Sequence, residues 1–451
     1  MPRRFFVETL GCPKNVVDSE KVAASLVADG LVAVDRAEDA DLVVLNTCAF
    51  VEAARRESVD VALELAEARR PGARLVLTGC MAERYGAELA EALPEADAVV
   101  GFAGEGSLSE VVLRGRAPTG VRDLLELPRP EPRAPWAYLK VAEGCDRACA
   151  FCAIPSFRGR QRSRSPEAVL DEAKGLVAGG VREIVLVAQD LASYGRDAGE
   201  PGALVPLLGR LDSLAPDGLA RLRLLYLYPS EVRAPLVDAL LELGTGTAYF
   251  DLSLQHASGG LLRRMKRWGD GDRFLALIEG IRARRPDAAF RSSFIVGFPG
   301  ETEDDHDALV SFLGAAQLDW AGFFPFSAED GTPAAGYPDR VPAVLAAERA
   351  TELGEAQDAV TRARRDALVG TTVEVMVDVA PGPGGRRPGD PAVGAVGRTF
   401  REAPEIDGVV RLTGPGGPDG LGPEPGAIVP AEVVGAVGPD LEAVVRWDGG
   451  A

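Results

Sequence analysis

EGCDRACAFC, residues 143–152, carries half of the chain's cysteines in one CxxxCxxC run: Cys145, Cys149 and Cys152. Three thiolates so close in sequence can reach one metal centre. A structural zinc site needs four ligands, usually as two separated pairs. No fourth cysteine or histidine lies nearby, and the only histidines are His256 and His306. A disulfide would leave one thiol over. An iron–sulfur cluster normally takes four thiolates, so three would leave one iron open for a substrate or cofactor, as a catalytic zinc keeps an open position.

The flanking sequence places this motif in a barrel. AYLKVAEG (137–144) reads as a strand directly before it. REIVLVAQ (182–189), RLRLLYLYP (221–229), YFDLSLQ (249–255), AFRSSFIVGF (289–298) and DWAGFFPFS (319–327) follow as strands, with helical patterns between them. The clearest helix starts at Ser165-Pro166-Glu167, an N-cap, an N1 proline and a first-turn carboxylate, and stops at Gly179-Gly180. Six βα units in succession predict a barrel or partial barrel, closed by a long helix at about 341–367. The motif then sits at the C-terminal end of the first strand, where barrel active sites form.

In that setting the motif resembles the signature of the radical S-adenosylmethionine enzymes: CxxxC, any residue, an aromatic, then Cys, with Phe151 in the aromatic position. The resemblance implies a 4Fe-4S cluster on Cys145, Cys149 and Cys152. Its open iron would be chelated by the amino and carboxylate groups of S-adenosyl-L-methionine, and electron transfer into the sulfonium would release a 5′-deoxyadenosyl radical. The protein's part is then to orient the reactants and exclude water. SFIVGFPGE (293–301) resembles the family's GxIxGxxE motif on the ribose and adenine side. Ser293 replaces the first glycine and Glu301 comes one residue late, so only Gly297 carries over as a cofactor-binding candidate. Gly297 and Gly300 serve equally well in a tight βα turn. Gln189 and Asp190 end the second strand, where the family contacts the methionine amino group, which makes Gln189 a further cofactor candidate. His256 ends the fourth strand. A lone histidine is more often structural, but a strand's C-terminal end in such a barrel raises the functional odds.

Upstream, FFVETL (5–10), DLVVLN (41–46), RLVLTG (74–79) and AVVG (98–101) alternate with helical stretches at 18–29, near 51–69 and near 81–93. Asp18 or Ser19 is the expected cap of the first helix and Gly30 its stop. Such alternation predicts a parallel sheet with helices on its faces. Cys12, Cys48 and Cys80 each follow an apolar strand of this series. Strand ends of a parallel sheet share one edge, the edge where ligands bind. Three cysteines distant in sequence therefore meet there as a second three-thiolate site.

Downstream, RAPTGVRDLLELPRPEPRAP (116–135) reads as a proline-rich linker. From about Gly370, TVEVMVDVA, VGRTF, GVVRLTG, AIVPAEVVGAVG and LEAVVRW are short strands between Gly/Pro loops, the pattern of a small antiparallel β-barrel. The loops 381–391 and 414–426 are expected to be mobile. The predicted α/β architecture thus has a parallel-sheet domain at 1–115, a linker at 116–134, a partial (βα)6 TIM-like barrel at 135–368 and a small β-barrel at 369–448.

The chain has 451 residues, is 46% hydrophobic and carries a formal charge of −19. That suffices for two or three domains with cores of their own. The acidic balance argues against a broad nucleic-acid-binding face and suits a basic partner. Six cysteines are too sparse for a disulfide scaffold. Glu8 interrupts the first apolar stretch, so no signal peptide is read, and no apolar run reaches the length of a membrane span. The expectation is a cytoplasmic protein with reduced thiols and no membrane partner.

Two three-cysteine sites, one per domain, followed by a small barrel, resemble the methylthiotransferases: an N-terminal methylthiotransferase domain, a radical S-adenosylmethionine barrel and a C-terminal TRAM domain. The resemblance implies a second, auxiliary 4Fe-4S cluster on Cys12, Cys48 and Cys80, whose open iron holds or delivers sulfur. One S-adenosylmethionine would supply the methyl and another the radical that abstracts a substrate hydrogen. Known branches modify adenosine in tRNA or an aspartate of ribosomal protein S-twelve of the small subunit. LGCPKNVVDSE (10–20), NTCAFVEAARRESVD (46–60), LYPSEV (227–232) and SLQHASGGLLRRMKR (253–267) look like the ribosomal-protein branch. The tRNA branch more typically has GCQMN in the first position and a VQSGS-like stretch in the fourth. From Gly370 to the end there are twelve acidic and six basic residues, a net of −6. A barrel of that sign repels phosphates and attracts a basic ribosomal protein. RGRQRSR (158–164) runs the other way: it can touch RNA, hold a carboxylate or be solvated surface. The implied activity is methylthio transfer to the β-carbon of that aspartate. The implied partners are ribosomal protein S-twelve or the small ribosomal subunit, a sulfur donor, and an electron donor such as flavodoxin or ferredoxin. The alternatives are a tRNA adenosine methylthiotransferase and a non-catalytic iron–sulfur protein that binds the ribosome.

Overall fold

The computed structural model describes residues 3–110, 123–380, 394–414 and 422–446. The first domain runs β1 (Arg4–Thr9), α1 (Pro13–Ala28), β2 (Val32–Ala33), β3 (Leu42–Thr47), α2 (Glu52–Ala68), β4 (Arg74–Gly79), α3 (Cys80–Ala92), β5 (Ala98–Val99) and α4 (Phe102–Glu105). Its sheet is parallel throughout, in the order β2-β1-β3-β4-β5. LVVLNT of β3 is buried along its whole length, as a central parallel strand covered on both faces must be. β2 escaped the sequence reading because two residues carry no periodic signal.

The start of α1 differs from expectation. The helix begins at Pro13 with Cys12 as its N-cap, six or seven residues before the expected cap at Asp18 or Ser19. Proline's fixed φ preorganises a first helical turn. Asp18 and Ser19 then lie inside the helix and are buried, where they serve contacts to other elements.

The second domain opens with β6 (Trp136–Lys140) and β7 (Ala142–Glu143), followed by α5 (Ile154–Arg158), β8 (Arg162–Ser163), α6 (Pro166–Ala178) and β9 (Glu183–Val187). It continues through α7 (Leu204–Asp212), β10 (Arg221–Leu224), α8 (Ala234–Glu242), β11 (Tyr249–Gln255), α9 (Gly259–Arg264) and α10 (Gly271–Arg284). β12 (Ala289–Val296), α11 (Glu303–Ala316), β13 (Trp320–Pro325) and α12 (Ala343–Asp366) complete it. Three strands pair in the order β6-β9-β10 and three in the order β11-β12-β13. Parallel bridges Leu222–Gly246 and Leu227–Leu252 join the two groups. The result is the expected six-stranded partial barrel, with strands in chain order. The Ser165 hydroxyl accepts from the Ala168 amide at 3.2 Å, so the predicted N-cap of α6 holds. β7 and β8 pair antiparallel across the cysteine motif and close its loop at the base.

The third domain is a closed barrel, β14 (Thr372–Val379), β15 (Ala395–Arg398), β16 (Val410–Thr413), β17 (Ile428–Val437) and β18 (Asp440–Val445), in the order β14-β15-β16-β18-β17. It is not purely antiparallel, since β16 and β18 run parallel. Residues 381–391 and most of 414–426, the expected mobile loops, lie outside the described residues, as does 116–122 of the expected linker. Beyond it, Leu124 and Leu125 are buried, and the Lys21 ammonium of α1 donates to the Leu125 carbonyl at 2.7 Å.

The domains close around the barrel. Tyr138, Val185, Val187, Leu225, Tyr249 and Trp320 form an inner cluster that takes in Val17 of α1 and Ala403 of the third domain. At the N-terminal ends of the strands, Glu183 pairs with Arg223 at 2.6 Å and with Arg398 of β15 at 2.9 Å. Tyr138 donates to the Pro404 carbonyl at 2.8 Å and Trp320 to the Arg401 carbonyl at 2.7 Å. The third domain therefore seals the end of the barrel opposite the cysteine motif.

Candidate active site: two facing sets of three cysteines

Cys12, Cys48 and Cys80 follow β1, β3 and β4, three neighbouring strands of one sheet. Cys12 caps α1 and Cys80 opens α3. Gly11 has φ +95°, and a Cβ there would lie 2.9 Å from both Cβ and Sγ of Cys48. Only glycine lets the Cys12 turn lie so closely on Cys48. Asn15 ties the edge together: its amide nitrogen donates to the Leu10 carbonyl at 2.9 Å and the Thr47 carbonyl at 3.2 Å, and its oxygen lies 3.7 Å from Cys80 Sγ. Below, the buried carboxyl of Glu105 accepts from Thr78 Oγ1 at 2.7 Å and from the Gly79 amide at 3.0 Å.

Burial acts against the charged form of all three thiols. It pushes Cys48 up to about 12, with the nearby Cys12 charge adding to the effect. It also raises Cys80, although Arg158 opposes it. Cys12 goes the other way: the burial penalty is outweighed by the Lys14 ammonium and the Arg158 guanidinium, and its thiol falls below the ordinary range.

Cys145, Cys149 and Cys152 occupy the loop between β7 and α5. The Arg147 amide donates to Cys145 Sγ at 3.4 Å, and Arg267 Nη1 donates to Cys149 Sγ at 3.5 Å. Burial raises Cys145 to about 11 and Cys152 to about 12. Phe151 packs against the barrel core. Arg147 lies 3.9 Å over the Tyr228 ring and pairs with Asp190 at 2.5 Å and Glu231 at 3.3 Å. Gln189 Nε2 donates to Glu143 at 2.6 Å. Gln189 Oε1 and Asp190 Oδ1 are buried with no partner among the described residues. These two orphaned acceptors flank the cysteine loop.

Gly297 sits elsewhere in the packing. Its φ is +74°, and a Cβ there would meet Ala346 of α12 at 2.4 Å. Its amide and that of Phe298 donate to the Glu301 carboxylate at 2.6 and 3.2 Å, and Glu301 pairs with Arg349 at 3.0 Å. What approaches Gly297 closely is a helix, and the one-residue shift of Glu301 caps the turn. His256 is fully buried, and its Nδ1 accepts from the Ser258 amide at 3.0 Å. Burial lowers it to about 4, so its ring is neutral near pH 7.

One residue ties the second domain to the first set. Arg158, the last residue of α5, donates through Nη2 to Cys80 Sγ at 3.1 Å and Asn15 Oδ1 at 2.7 Å. Through Nη1 it reaches Glu143 at 3.0 Å and Asp18 at 3.1 Å. Lys140, which ends β6, pairs with Asp18 at 2.7 Å and also with Glu143. Burial would raise Glu143, but Arg158 and Lys140 hold it down to about 2. At the far side Arg84 of α3 pairs with Glu329, beyond β13, at 2.6 Å. The C-terminal edges of sheet and barrel thus face each other. The sequence leaves Arg158 among three possible roles and carries no signal for Glu105, Arg147 or Arg267.

The donor sets fit iron–sulfur clusters. All six cysteines are free thiols. No three His, Cys, Asp or Glu side chains among the described residues group closely enough for one metal ion. A cluster takes its thiolates on separate irons and needs no such convergence. Each set supplies three thiols and, from Arg158, Arg147 or Arg267, an N–H directed at sulfur, a contact that tunes such clusters. Two concavities of about 430 and 310 Å³ lie elsewhere, and neither is lined by a cysteine.

Comparison with known proteins agrees with this architecture. The Radical SAM superfamily model matches residues 139–313, the TRAM domain model residues 369–445, and the model described as Uncharacterized protein family UPF0004 residues 4–101. The solved radical S-adenosylmethionine methyltransferase TsrM from Kitasatospora setae, with tryptophan and an S-adenosylmethionine analogue bound, superposes with TM-score 0.55 at 16% identity. It covers 79% of this chain and 89% of that one, a likeness of fold. The protein is a radical S-adenosylmethionine enzyme with an added parallel-sheet domain. The ribosomal protein uS12 methylthiotransferase RimO of Streptomyces coelicolor is 43% identical over 96% of this chain and 95% of its own. That of Saccharopolyspora erythraea is 43% identical over 100% and 96%. The chain belongs to the RimO family of methylthiotransferases.

Proposed function

We propose that this enzyme adds a methylthio group to the β-carbon of an aspartate in ribosomal protein uS12. In this reading Cys145, Cys149 and Cys152 hold one 4Fe-4S cluster and Cys12, Cys48 and Cys80 the other. When bound, the clusters and S-adenosylmethionine supply the 5′-deoxyadenosyl radical, the methyl and the sulfur. The observation that carries the reading is the facing of the two cysteine edges, with Arg158 reaching from the radical-site loop to Cys80 Sγ. A substrate carbon held between the edges is within reach of both halves of the reaction.

The chain's own residues provide the setting. Gln189 Oε1 and Asp190 Oδ1, which have no partner among the described residues, offer acceptors for the methionine ammonium of the cofactor, which Phe151 helps to enclose. Arg147 and Arg267 orient the cysteine loop and lend hydrogen bonds to its sulfurs. The third domain closes the N-terminal end of the barrel and leaves the cysteine end for the substrate.

Surface charge favours a protein substrate over tRNA. In the basic run 158–164, Arg158 and Arg164 are buried, Arg162 pairs with Asp123 and Arg160 with Asp146. In the described part of the third domain Glu374, Glu405, Glu424 and Glu442 are exposed, while the exposed Arg411 and Arg446 pair with Asp440 and Glu432. Such a face suits a basic ribosomal protein. The family chemistry calls for a low-potential electron donor, a flavodoxin or ferredoxin, and a sulfur donor. No helix among the described residues is long and apolar enough to cross a membrane, in keeping with a cytoplasmic site of action. Mass spectrometry of uS12 and of tRNA nucleosides from a deletion strain tests the assignment. Loss of the uS12 modification with intact tRNA supports it, and the reverse overturns it.

A further inference from the structure

We propose that Lys14 is a specificity-determining residue: its ammonium receives the carboxylate of the target side chain, with the Tyr226 hydroxyl beside it. The inference rests on the reading that the substrate is an aspartate.

Lys14 stands in the first turn of α1, two residues after Cys12, and is only 7% exposed. Among the described residues its ammonium makes no ion pair and donates no hydrogen bond; it lies 3.3 Å above the centroid of the Tyr226 ring. The other buried or half-buried cations nearby form ion pairs: Lys140 and Arg158 with Asp18 and Glu143, Arg147 with Asp190, and Arg291 with Asp251. An ammonium removed from water is costly unless paired, and an aromatic face offsets less than an anion does. Lys14 is therefore a largely buried ammonium beside the auxiliary cysteines, facing the charges of Cys12 and Asp251 but hydrogen-bonded to neither among the described residues.

Tyr226 points to the same spot. It follows β10 in the left-handed region, at φ +64°, which a bulky residue adopts only when its surroundings impose it. Its amide donates to Asp251 Oδ2 at 3.0 Å, which holds that conformation. The strained backbone puts the ring under the ammonium, and its hydroxyl has no hydrogen bond among the described residues. The Asp251 oxygens accept from the Tyr226 amide and from Arg291 at 3.1 Å, so Asp251 acts on Lys14 through its charge and without a hydrogen bond to it among the described residues. A carboxylate on Lys14 Nζ places its β-carbon near the Cys12 edge. A neutral base such as adenine offers the ammonium no charge to pair with, so the residue discriminates as well as binds.

The test uses the reconstituted holoenzyme, Lys14→Gln and Lys14→Arg variants, and two substrates: uS12 and uS12 with the target aspartate changed to asparagine. Iron content reports cluster loading, and kcat and KM are measured by mass spectrometry of the product. The expected result for Lys14→Gln is wild-type iron content, a kcat/KM on the aspartate substrate lowered by about 100-fold, and a collapse of the aspartate-over-asparagine preference. Lys14→Arg should recover part of both. An unchanged preference in Lys14→Gln overturns the proposal. So does loss of iron with equal loss on both substrates, which would make Lys14 a cluster-charge residue only. If the wild-type enzyme leaves uS12 unmodified, the functional reading itself falls, and this proposal with it.

Discussion

Arg158 illustrates how much of the site depends on single side chains. It touches Cys80, Asn15, Glu143 and Asp18 at once. Removing it would strip a charged donor from sulfur and leave Asp18 and Glu143 with Lys140 as their remaining cation. Hydrogen bonds to sulfur are among the contacts that set cluster potentials. Arg158→Gln should therefore lower the midpoint potential of the auxiliary cluster and leave the radical-site cluster unmoved, as read by EPR-monitored redox titration. It should also cost about 3–5 kcal/mol of stability, the usual penalty for breaking a buried pair. His256 makes a second test at this scale. Its folded value of about 4 lies below the ordinary 6.5. The stability it contributes is full above pH 6.5 and is lost as pH falls toward 4, about 3 kcal/mol in all. Thermal melts of His256→Gln should show a flatter pH dependence over that window. The sequence places Cys12, Cys48 and Cys80 at one edge because each follows an apolar strand of a parallel sheet, and groups Cys145, Cys149 and Cys152 because they share one short run. It does not place Arg158, because its position in an Arg-rich run says nothing about which arginines turn inward.

Elements place these residues, and their apolar runs made most of them readable. The six barrel strands appear within a few residues of their predicted positions because each is rich in β-branched, aromatic and leucine residues between helical patterns. The start of α1 was missed because Cys12 supplies no side-chain hydrogen bond as N-cap. The usual cap chemistry pointed instead to Asp18 and Ser19. Gly297 shows how an element-level fact redirects a motif. The motif resemblance put it beside the cofactor, but α12 fills the space next to it. Gly297→Ala should destabilise the fold by about 1–3 kcal/mol through overpacking and backbone strain. Ala346→Gly in the same chain should return part of that loss in denaturant unfolding. A rise in the Kd for S-adenosylmethionine with no change in stability would instead make Gly297 a cofactor contact.

At the scale of the whole molecule, three modules follow from the sequence but their mutual orientation does not. Orientation depends on pairs hundreds of residues apart, such as Glu183 with Arg398, which leave no local pattern. Burial opposes the Glu183 charge, but Arg223 and Arg398 hold it to about 2 against an ordinary 4.5. Its contribution is complete above pH 4.5 and lost as pH falls toward 2. Removing it should loosen the third domain, so Glu183→Ala is expected to cost about 3–5 kcal/mol and to speed proteolysis near residue 370. The central claim concerns the two facing cysteine sites acting on one substrate. It is tested most directly by incubating anaerobically reconstituted wild-type and Cys12→Ala enzymes with S-adenosylmethionine, reductant and uS12, then mapping the product by mass spectrometry. The account predicts a methylthio group on a uS12 aspartate from the wild type, and from Cys12→Ala continued 5′-deoxyadenosine release without that product. Methylthiolation by Cys12→Ala at the wild-type rate would contradict it.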